Sequence, residues 1–549
     1  MKKRLLCALL ACMLLSGAMA AVAEEVPVPD FGKYDETVVI TAINNLSDQV
    51  RQNTLKDEYT IEDNPWQSAY LEYLNVKREY LWITASDEEY NTKRSLALAA
   101  GEIPDYLQVS QVELMQLAEA GVIVDNAKEL FDEYAGDQLK SLIGYYGDIA
   151  WEYGAYDGDF YGIPCAGGQN YDCLDFVWIR SDWLENLGMQ PPTNYSELLA
   201  VIEAFVTQDP DGNGEDDTFG LALCNDLDSE ILTVESFLNL FGAYYDMWIE
   251  KDGQLVYSAT TQEAKNALAA LRDMYAKGWL DPEFGVKDQA AVAMDIANNE
   301  VGVVFAVNWA PLSTTLNNCI QANPEAGFIC VPAWRLANEE GTIARSKYDP
   351  SCNNFIAISS ACEHPEAVIK MMSLYTELYA NHYSEYGITD DGREMWHLAG
   401  FPTLEDPLKN CKNMMYGGQY LRGEVAAEDI SGEQLQMALN VQAFEEGDRT
   451  MWPYYAIFAD DGEYNSSEWF VREVKDDYDT YYICEGYRGP DTQGMIDYEG
   501  MLATIRDEAY IKIIIGDEEL DYFDTFVEEW YAAGGQTITG EVNDWFAEQ

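Results

Sequence analysis

Basic residues are scarce in this chain of 549 residues: Lys and Arg number 32 against 97 Asp and Glu, which gives a formal net charge of -65. Such a surface repels phosphate backbones and anionic head groups, so nucleic-acid binding and peripheral membrane binding are disfavoured. Hydrophobic residues make up 48% and charged residues 23%, which is ordinary for a folded globular protein. The length exceeds what one compact core usually holds and predicts two lobes.

Histidine is rare, and cysteine lacks any metal-type or paired spacing. The three histidines, His364, His382 and His397, argue against a zinc site and against a His-dependent catalytic triad. Two of the 11 cysteines, Cys7 and Cys12, lie in the N-terminal segment, and the other nine are an odd number without CxxC pairs. We therefore expect buried free thiols that behave as small apolar residues.

Long apolar runs are absent except at the N-terminus, which has the pattern of an export signal. Basic residues 2–4 precede apolar residues 5–15, and small residues up to Ala23 form cleavage sites. The run is too short to span a bilayer, so we predict a signal peptide over residues 1–23. Residues 9–12 loosely resemble a lipoprotein processing site, but cleavage there would interrupt a very short apolar region. We expect an exported, soluble, unlipidated protein.

Helical and strand patterns alternate along the chain, which predicts an α/β fold. Residues 37–42 and 301–307 are typical of buried strands, and a helix is predicted over residues 88–100. Asn194, three residues before Glu197, is typical of a helix N-terminus. No repeat and no low-complexity linker is visible, which favours two lobes joined by several chain crossings.

A short acidic loop has the spacing of a calcium site. Oxygen-bearing side chains fall at loop positions one, three, five and nine, and the seventh residue can offer its carbonyl; these residues are Asp209, Asp211, Asn213, Asp217 and Glu215. Gly220 stands at position twelve, where an EF-hand has a bidentate Glu. The alternative is a solvated acidic turn. We favour a structural Ca²⁺, because these carboxylates would repel one another without a cation.

Aromatic residues are abundant, with 14 Trp and 37 Tyr. Sugar rings stack on flat side chains, so exposed tryptophans would suit a carbohydrate ligand. Three tryptophans lie in loop-like segments: Trp66, Trp309 and Trp452. A single Trp more often belongs to a core, as we expect for Trp178, Trp183 and Trp530. Trp309 follows a buried strand directly, and for Trp309 and the preceding Asn308 the ligand-binding interpretation is favoured.

Eight segments, in order over nearly the whole mature chain, resemble the extracellular solute-binding proteins of carbohydrate ABC importers. This is the large family that includes maltose-binding proteins, and the similarity is greatest to its long Gram-positive, LplA-like subgroup. The segments are residues 100–105, 157–164, 178–184, 209–220, 278–284, 364–367, 521–527 and 538–545. The resemblance implies two α/β lobes of the type II periplasmic-binding-protein fold, with a hinge and a cleft between the lobes.

The expected first lobe comprises residues 36–165 and about 325–375. The expected second lobe comprises residues 166–324 and about 376–549, and it contains the cation loop 209–217.

The resemblance also implies the ligand site and the partners. The position of Trp309 stacks on a sugar ring in the wider family, Ser110 and Gln111 face the cleft, and Trp452 lies where another stacking aromatic often occurs. Relatives carry a calcium loop that matches the acidic loop. The implied function is capture of an oligosaccharide by hinge closure and delivery to ABC permease subunits, by a monomer without enzymatic activity.

Three alternatives remain open at this stage. The chain could be a glycan hydrolase or lyase with an acidic, aromatic cleft. The same fold could bind a peptide or another small nutrient, or the chain could be a surface adhesin without a small ligand.

Overall fold

The computed structural model describes residues 27–548 except 48–49, 56–58, 146, 157, 166–173, 349–353, 390–392, 403, 405, 461 and 463. The predicted signal peptide, the lipoprotein-like residues 9–12 and part of the similar segment 157–164 lie outside these residues. Within the described part of the chain, no helix combines the length and the apolar character needed to cross a membrane.

Helices and strands alternate through the chain, as the sequence pattern predicts. The strands are β1 (Val38–Asn45), β2 (Val76–Thr84), β3 (Tyr106–Ser110), β4 (Ala155–Tyr156), β5 (Asp159–Phe160), β6 (Gly162–Pro164), β7 (Asp175–Arg180), β8 (Phe219–Ala222), β9 (Trp248–Lys251), β10 (Gln254–Tyr257), β11 (Val301–Val307), β12 (Phe328–Pro332), β13 (Ser346–Tyr348), β14 (Asn354–Ile358) and β15 (Tyr482–Cys484).

The α-helices are α1 (Pro65–Ala69), α2 (Asp87–Ala100), α3 (Gln111–Glu119), α4 (Ala127–Tyr134), α5 (Asp137–Gly144), α6 (Ile149–Glu152), α7 (Ser181–Leu187), α8 (Tyr195–Thr207), α9 (Glu235–Asn239), α10 (Gln262–Ala276), α11 (Gln289–Ala297), α12 (Thr314–Ala322), α13 (Pro365–Asn381), α14 (Tyr383–Tyr386), α15 (Lys409–Leu421), α16 (Gly432–Glu445), α17 (Trp452–Phe458), α18 (Ser467–Val474), α19 (Tyr478–Tyr481), α20 (Gln493–Ile515), α21 (Tyr522–Trp530) and α22 (Gln536–Phe546).

The first lobe is built on two small sheets. Strands β1 and β2 are parallel, and β14 lies between β3 and β6, antiparallel to both. Asp105 joins the two sheets, because its carboxylate accepts 2.7 Å hydrogen bonds from the backbone N–H and the hydroxyl of Thr41. Alternate residues of β14 enter different cores, Phe355 on one face and Ile356 on the other. The sheet is therefore covered on both faces.

The second lobe is built on a four-stranded sheet in the order β12-β7-β11-β8. Strand β7 is antiparallel to β11 and β12, whereas β11 is parallel to β8. Every residue of β7 and β11 is buried, since helices cover both faces of the sheet. Trp178, Trp183 and Trp530 lie in these cores, which confirms the prediction for all three.

The chain passes between the two lobes three times: between residues 165 and 174, 344 and 355, and 404 and 408. The first two passages are neighbours at both ends. In the first lobe, the backbone N–H of Cys165 donates to the carbonyl of Asn354 at 2.9 Å. In the second lobe, the N–H of Asp175 donates to the hydroxyl of Ser346 at 2.8 Å. Such a pair of adjacent segments suits a hinge.

The packing places the lobe boundaries later than the sequence suggests. Strand β12 pairs with β7, so residues up to Ala344 pack in the second lobe rather than the first. Leu378 and Leu404 pack in the first lobe, and Leu408 packs against the second. The boundaries expected at about residues 325 and 376 differ from this packing, because neither change of lobe is marked by a linker.

The described cysteines are unbonded thiols, namely Cys165, Cys224, Cys319, Cys330, Cys362, Cys411 and Cys484. Five of them are buried, and Cys362 and Cys484 are half-buried. Burial raises the pKa of the thiols of Cys165 and Cys330. For these residues the expectation of free thiols is confirmed.

Candidate functional site

Three strand ends lie side by side at one edge of the first-lobe sheet. Strand β3 ends at Ser110, β6 ends at Pro164, and β14 begins at Asn354. The register places these ends side by side, because Asn354 pairs with Ser110 and Phe355 pairs with Pro164. We call this edge, with Gln111, the first rim.

One edge of the second-lobe sheet is built in the same way. Strand β7 begins at Asp175, which pairs with Val307 at the end of β11, and β12 ends at Pro332. We call this edge, with Asn308 and Trp309, the second rim. The first passage joins the two rims, since eleven residue steps separate Pro164 from Asp175 and span at most about 40 Å. The rims therefore border the region between the lobes.

Ser110 and Gln111, which the resemblance assigns to the ligand site, lie at the first rim. Ser110 is the N-cap of α3: its hydroxyl accepts from the N–H of Glu113, and its own N–H donates to the Glu113 carboxylate. The Gln111 side-chain amide donates to the carbonyl of Tyr153 at 2.9 Å. Both residues are half-buried, so capping fixes the backbone here and leaves part of each side chain accessible.

Trp309 and Asn308 extend the second rim. Trp309 is half-buried and packs with part of its surface against the second-lobe core. Asn308 is fully buried: its amide donates to the Glu468 carboxylate at 2.9 Å, and its carbonyl accepts from the Ser467 hydroxyl at 2.9 Å. The prediction that Asn308 contacts the ligand is therefore wrong, because the residue is buried and its hydrogen bonds stabilise the second rim from inside the lobe.

Trp66 and Trp452 are core residues in this structure. Trp66 is fully buried against Tyr375 and Tyr386, and its indole N–H donates to the carbonyl of Met395 at 2.8 Å. Trp452 packs in the second-lobe core and is 4% exposed. Neither ring has a face free for a sugar, which corrects the prediction that these two residues bind ligand.

A group of charged residues beside the second rim was not predicted. The Asp175 carboxylate accepts from the Ser236 hydroxyl at 2.5 Å and from the Asn239 amide at 2.8 Å, and burial raises its pKa. Lys347 lies on β13, next to the start of β7, and its ammonium is 3.9 Å from the Glu235 carboxylate. The sequence signal for this group was Asp175, an acid at the start of a strand whose next four residues are apolar.

Glu230 also lies beside the second rim. Its carbonyl accepts from the N–H of Val307 at 3.1 Å, and Ile231 forms an antiparallel bridge with Ala306. The loop before Glu230 therefore extends past the end of β11, towards the first lobe. Partial burial raises the pKa of the exposed Glu230 side chain.

Polar contacts between the lobes include two side-chain pairs. Arg488 lies 3.5 Å from Glu152 of α6, with side-chain exposures of 32% and 53%. The ammonium of Lys412 on α15 donates to the hydroxyl of Tyr145 at 3.4 Å. Exposed pairs of this kind contribute about 1 kcal/mol or less, so they do not lock the two lobes together.

The acidic loop lies at the opposite edge of the second-lobe sheet, where β8 begins next to Val301. Its side chains converge. The Asn213 amide donates to Asp211 at 2.9 Å and to Asp217 at 3.2 Å, and the N–H of Gly214 donates to Asp209 at 3.1 Å. The loop is thus a closed set of oxygen groups about 20 Å, one strand length, from the rim.

A half-buried residue, Asn299, anchors this loop. Asn299 donates to Asp211 at 3.1 Å and accepts at 2.6 Å from Arg180, which is almost fully buried at the end of β7. Gly220 explains the missing Glu at position twelve. A β carbon there would lie 2.5 Å from the Ile202 side chain, so the loop exit packs against α8 without room for any side chain.

The donor set suits a hard cation. Within the described residues, no three acidic, His or Cys side chains are close enough to hold an ion as they stand. However, the amide group of Asn213 lies between two carboxylates, where a cation would be attracted. Rotation of that amide would present a third oxygen. Burial, together with Asp295 and Asp217, raises the pKa of the nearby Glu300, which reflects the density of negative charge.

The comparisons with known proteins agree with this architecture. A family model for bacterial extracellular solute-binding proteins matches residues 64–377. Lipoprotein LipO of Bacillus subtilis is 24% identical over 511 residues, covering 89% of this chain and 90% of LipO. The fructooligosaccharide ABC transporter substrate-binding protein FusA of Streptococcus pneumoniae is 28% identical over 254 residues, covering 43% of this chain and 45% of FusA.

Solved structures show the same fold. A solute-binding protein from Bifidobacterium longum infantis, described as HMO-binding and ABC-transporter-associated, superposes with a TM-score of 0.59 at 16% identity, over 93% of this chain and 99% of that chain. An EF-hand mutant of FusA in complex with fructo-nystose superposes with a TM-score of 0.53 at 17% identity, with the same coverage. The α/β two-lobed fold predicted from the sequence is confirmed, and the chain belongs to the family of bacterial extracellular solute-binding proteins.

Proposed function

We propose that this protein captures an oligosaccharide between its lobes and delivers it to the permease subunits of an ABC importer. The observation that carries the proposal is the position of Trp309, a half-exposed indole at the second rim, which borders the region between the lobes. A flat apolar ring suits the C–H face of a sugar. The sugar-binding relatives FusA and the HMO-binding protein support the same ligand class.

The proposed mechanism is closure of the two lobes around the ligand. An oligosaccharide that contacts Trp309 on one rim and Ser110 and Gln111 on the other stabilises the closed form, because each rim alone makes only part of the contacts. The adjacent passages near Cys165 and Asp175 act as the hinge. The protein acts as an exported monomer, and no bond of the ligand is broken.

We also propose that the loop binds Ca²⁺. Asp209, Asp211, Asn213 and Asp217 would offer side-chain oxygens, and Glu215 a carbonyl. Its role is structural, since the loop lies at the edge of the sheet opposite the second rim. The description of a FusA structure as an EF-hand mutant supports a cation loop in this family.

A binding screen tests the proposed function. The purified chain is incubated with defined oligosaccharides, melting temperature and radius of gyration are measured, and the glycans are then analysed by mass spectrometry. We expect one class to raise the melting temperature, to compact the protein and to be recovered intact. Shortened glycans would indicate a hydrolase or lyase instead, and stabilisation by peptides alone would change the ligand class. No response to any solute would refute the receptor function.

A further inference from the structure

A cation beside the second rim, Lys347, is surrounded by acids. Lys347 lies 3.9 Å from Glu235, and the charges of Asp228, Asp246 and Glu485 also act on it. Burial alone would lower the pKa of Lys347, yet these carboxylates raise it. The charge of the ammonium is therefore compensated by carboxylates of the protein itself.

Two other cations beside the rims are held in ion pairs. Arg94, near the first rim, donates two hydrogen bonds of 2.5 Å from its guanidinium to the two oxygens of the Glu113 carboxylate. Arg488 lies against Glu152 across the lobes. Arg345 is the exposed exception, and its charge acts on the Tyr244 phenol together with those of Asp175 and Glu235.

Glu230 is the exposed acid at the end of β11. Burial raises its pKa, and no cation among the described residues offsets that effect. A carboxylate is an acceptor only, so it binds sugar hydroxyls as donors. A ligand carboxylate next to Glu230 would be repelled by its like charge. Because Glu230 is partly shielded from water, this repulsion opposes binding.

We infer, on the basis of the proposed function, that the region between the rims accepts uncharged oligosaccharides and excludes those that carry uronate groups. Glu230 and the acids around Lys347 would set this selectivity, with Trp309 supplying the stacking surface. The ligand class is thereby narrowed from oligosaccharides in general to neutral ones. The overall charge of -65 acts in the same direction at long range.

The test uses ligands that differ only in charge. Oligogalacturonates and their fully methyl-esterified forms, together with neutral fructo-, xylo- and malto-oligosaccharides, are titrated into the full mature chain by calorimetry at low and at high salt. We expect a neutral ligand to bind, and any esterified ligand that binds to lose at least tenfold in affinity when its carboxylates are freed. Salt should reduce that difference, because it screens like-charge repulsion.

Substitutions assign the effect to the rim. Glu230→Gln keeps the size of the side chain and removes its charge, so we expect the affinity for uronates to rise several-fold relative to that for neutral ligands. Glu185→Gln on α7, an exposed acid at the opposite edge of the second-lobe sheet, is the matched control and should leave the selectivity unchanged.

The outcomes separate the two proposals. If uronates bind as well as neutral ligands, or bind alone and lose affinity in Arg345→Gln, the inferred selectivity is refuted while the receptor function stands. If no oligosaccharide of either charge class binds, both are refuted. Equal selectivity in Glu230→Gln and the parent protein would refute the role of Glu230.

Discussion

Removal of calcium should destabilise the second lobe by an amount that can be estimated. A site held at 100 times its dissociation constant stabilises the native state by about 2.7 kcal/mol. The second lobe comprises roughly 300 residues, and unfolding releases about 2.1 cal/mol/K per residue. We therefore expect a chelator to lower the melting temperature by about 4 °C, and added Ca²⁺ to restore it.

Two neighbouring acids provide a variant and its control. Asp217 contacts the Asn213 amide, whereas Asp216 is exposed at position eight of the loop, which is not a ligand position. Asp217→Asn should abolish the calcium-dependent part of the melting temperature, and Asp216→Asn should retain it. Both changes remove one negative charge, so a general effect of net charge would affect them equally.

The assay is differential scanning fluorimetry with calcium titrated against a chelator, supported by calorimetric binding. The reasoning is refuted if the parent protein melts at the same temperature with and without calcium. It is also refuted if Asp216→Asn and Asp217→Asn behave alike. Ligand binding should survive chelation, since the loop lies one strand length from the second rim.

Three further predictions concern single residues. Trp309→Ala should weaken oligosaccharide binding about 5- to 30-fold by calorimetry, equivalent to about 1–2 kcal/mol. Because Trp309 is only partly packed against the core, this change should lower stability less than Trp452→Ala, which opens the core and should cost about 3–5 kcal/mol in denaturant unfolding. Gly220→Glu, which restores the EF-hand residue, should cost more than about 2 kcal/mol and add no calcium affinity by titration, since the new side chain meets Ile202. Burial raises the pKa of Glu485 to about 7, so the native state keeps a proton that the unfolded chain releases near pH 4.5. The free energy of unfolding should therefore fall by up to about 3 kcal/mol as pH rises through that interval. Glu485→Gln should flatten this dependence in unfolding curves measured from pH 4.5 to 8, and an unchanged slope would contradict the reasoning.

Local features of the fold were predictable where local chemistry decides. The Asn194 side chain caps α8 by accepting from the N–H of Glu197, and α2 ends where Gly101 adopts a positive φ of 67°. Strand 301–307 has the predicted limits, because a continuous apolar run fits a strand covered on both faces.

The site was less predictable, because burial depends on residues far along the chain. Trp66 is covered by Tyr375 and Tyr386, which lie more than 300 residues later in the sequence, and no local sequence pattern predicts that contact. The acids beside the second rim come from separate segments and converge only through the sheet register. Trp309 could be selected because it follows a recognisable strand directly, so its place at the strand end was fixed by the sequence itself.

The central position of β14 has a consequence for the order of folding. In the three-stranded sheet of the first lobe, this strand separates β3 from β6, yet it follows β6 by about 190 residues, which build half of the second lobe. As the polypeptide emerges from a ribosome or a translocation pore, its leading part cannot complete its own sheet. Contacts between such distant segments slow folding. The first-lobe sheet therefore stays incomplete until β14 is available, so the two lobes depend on each other during folding.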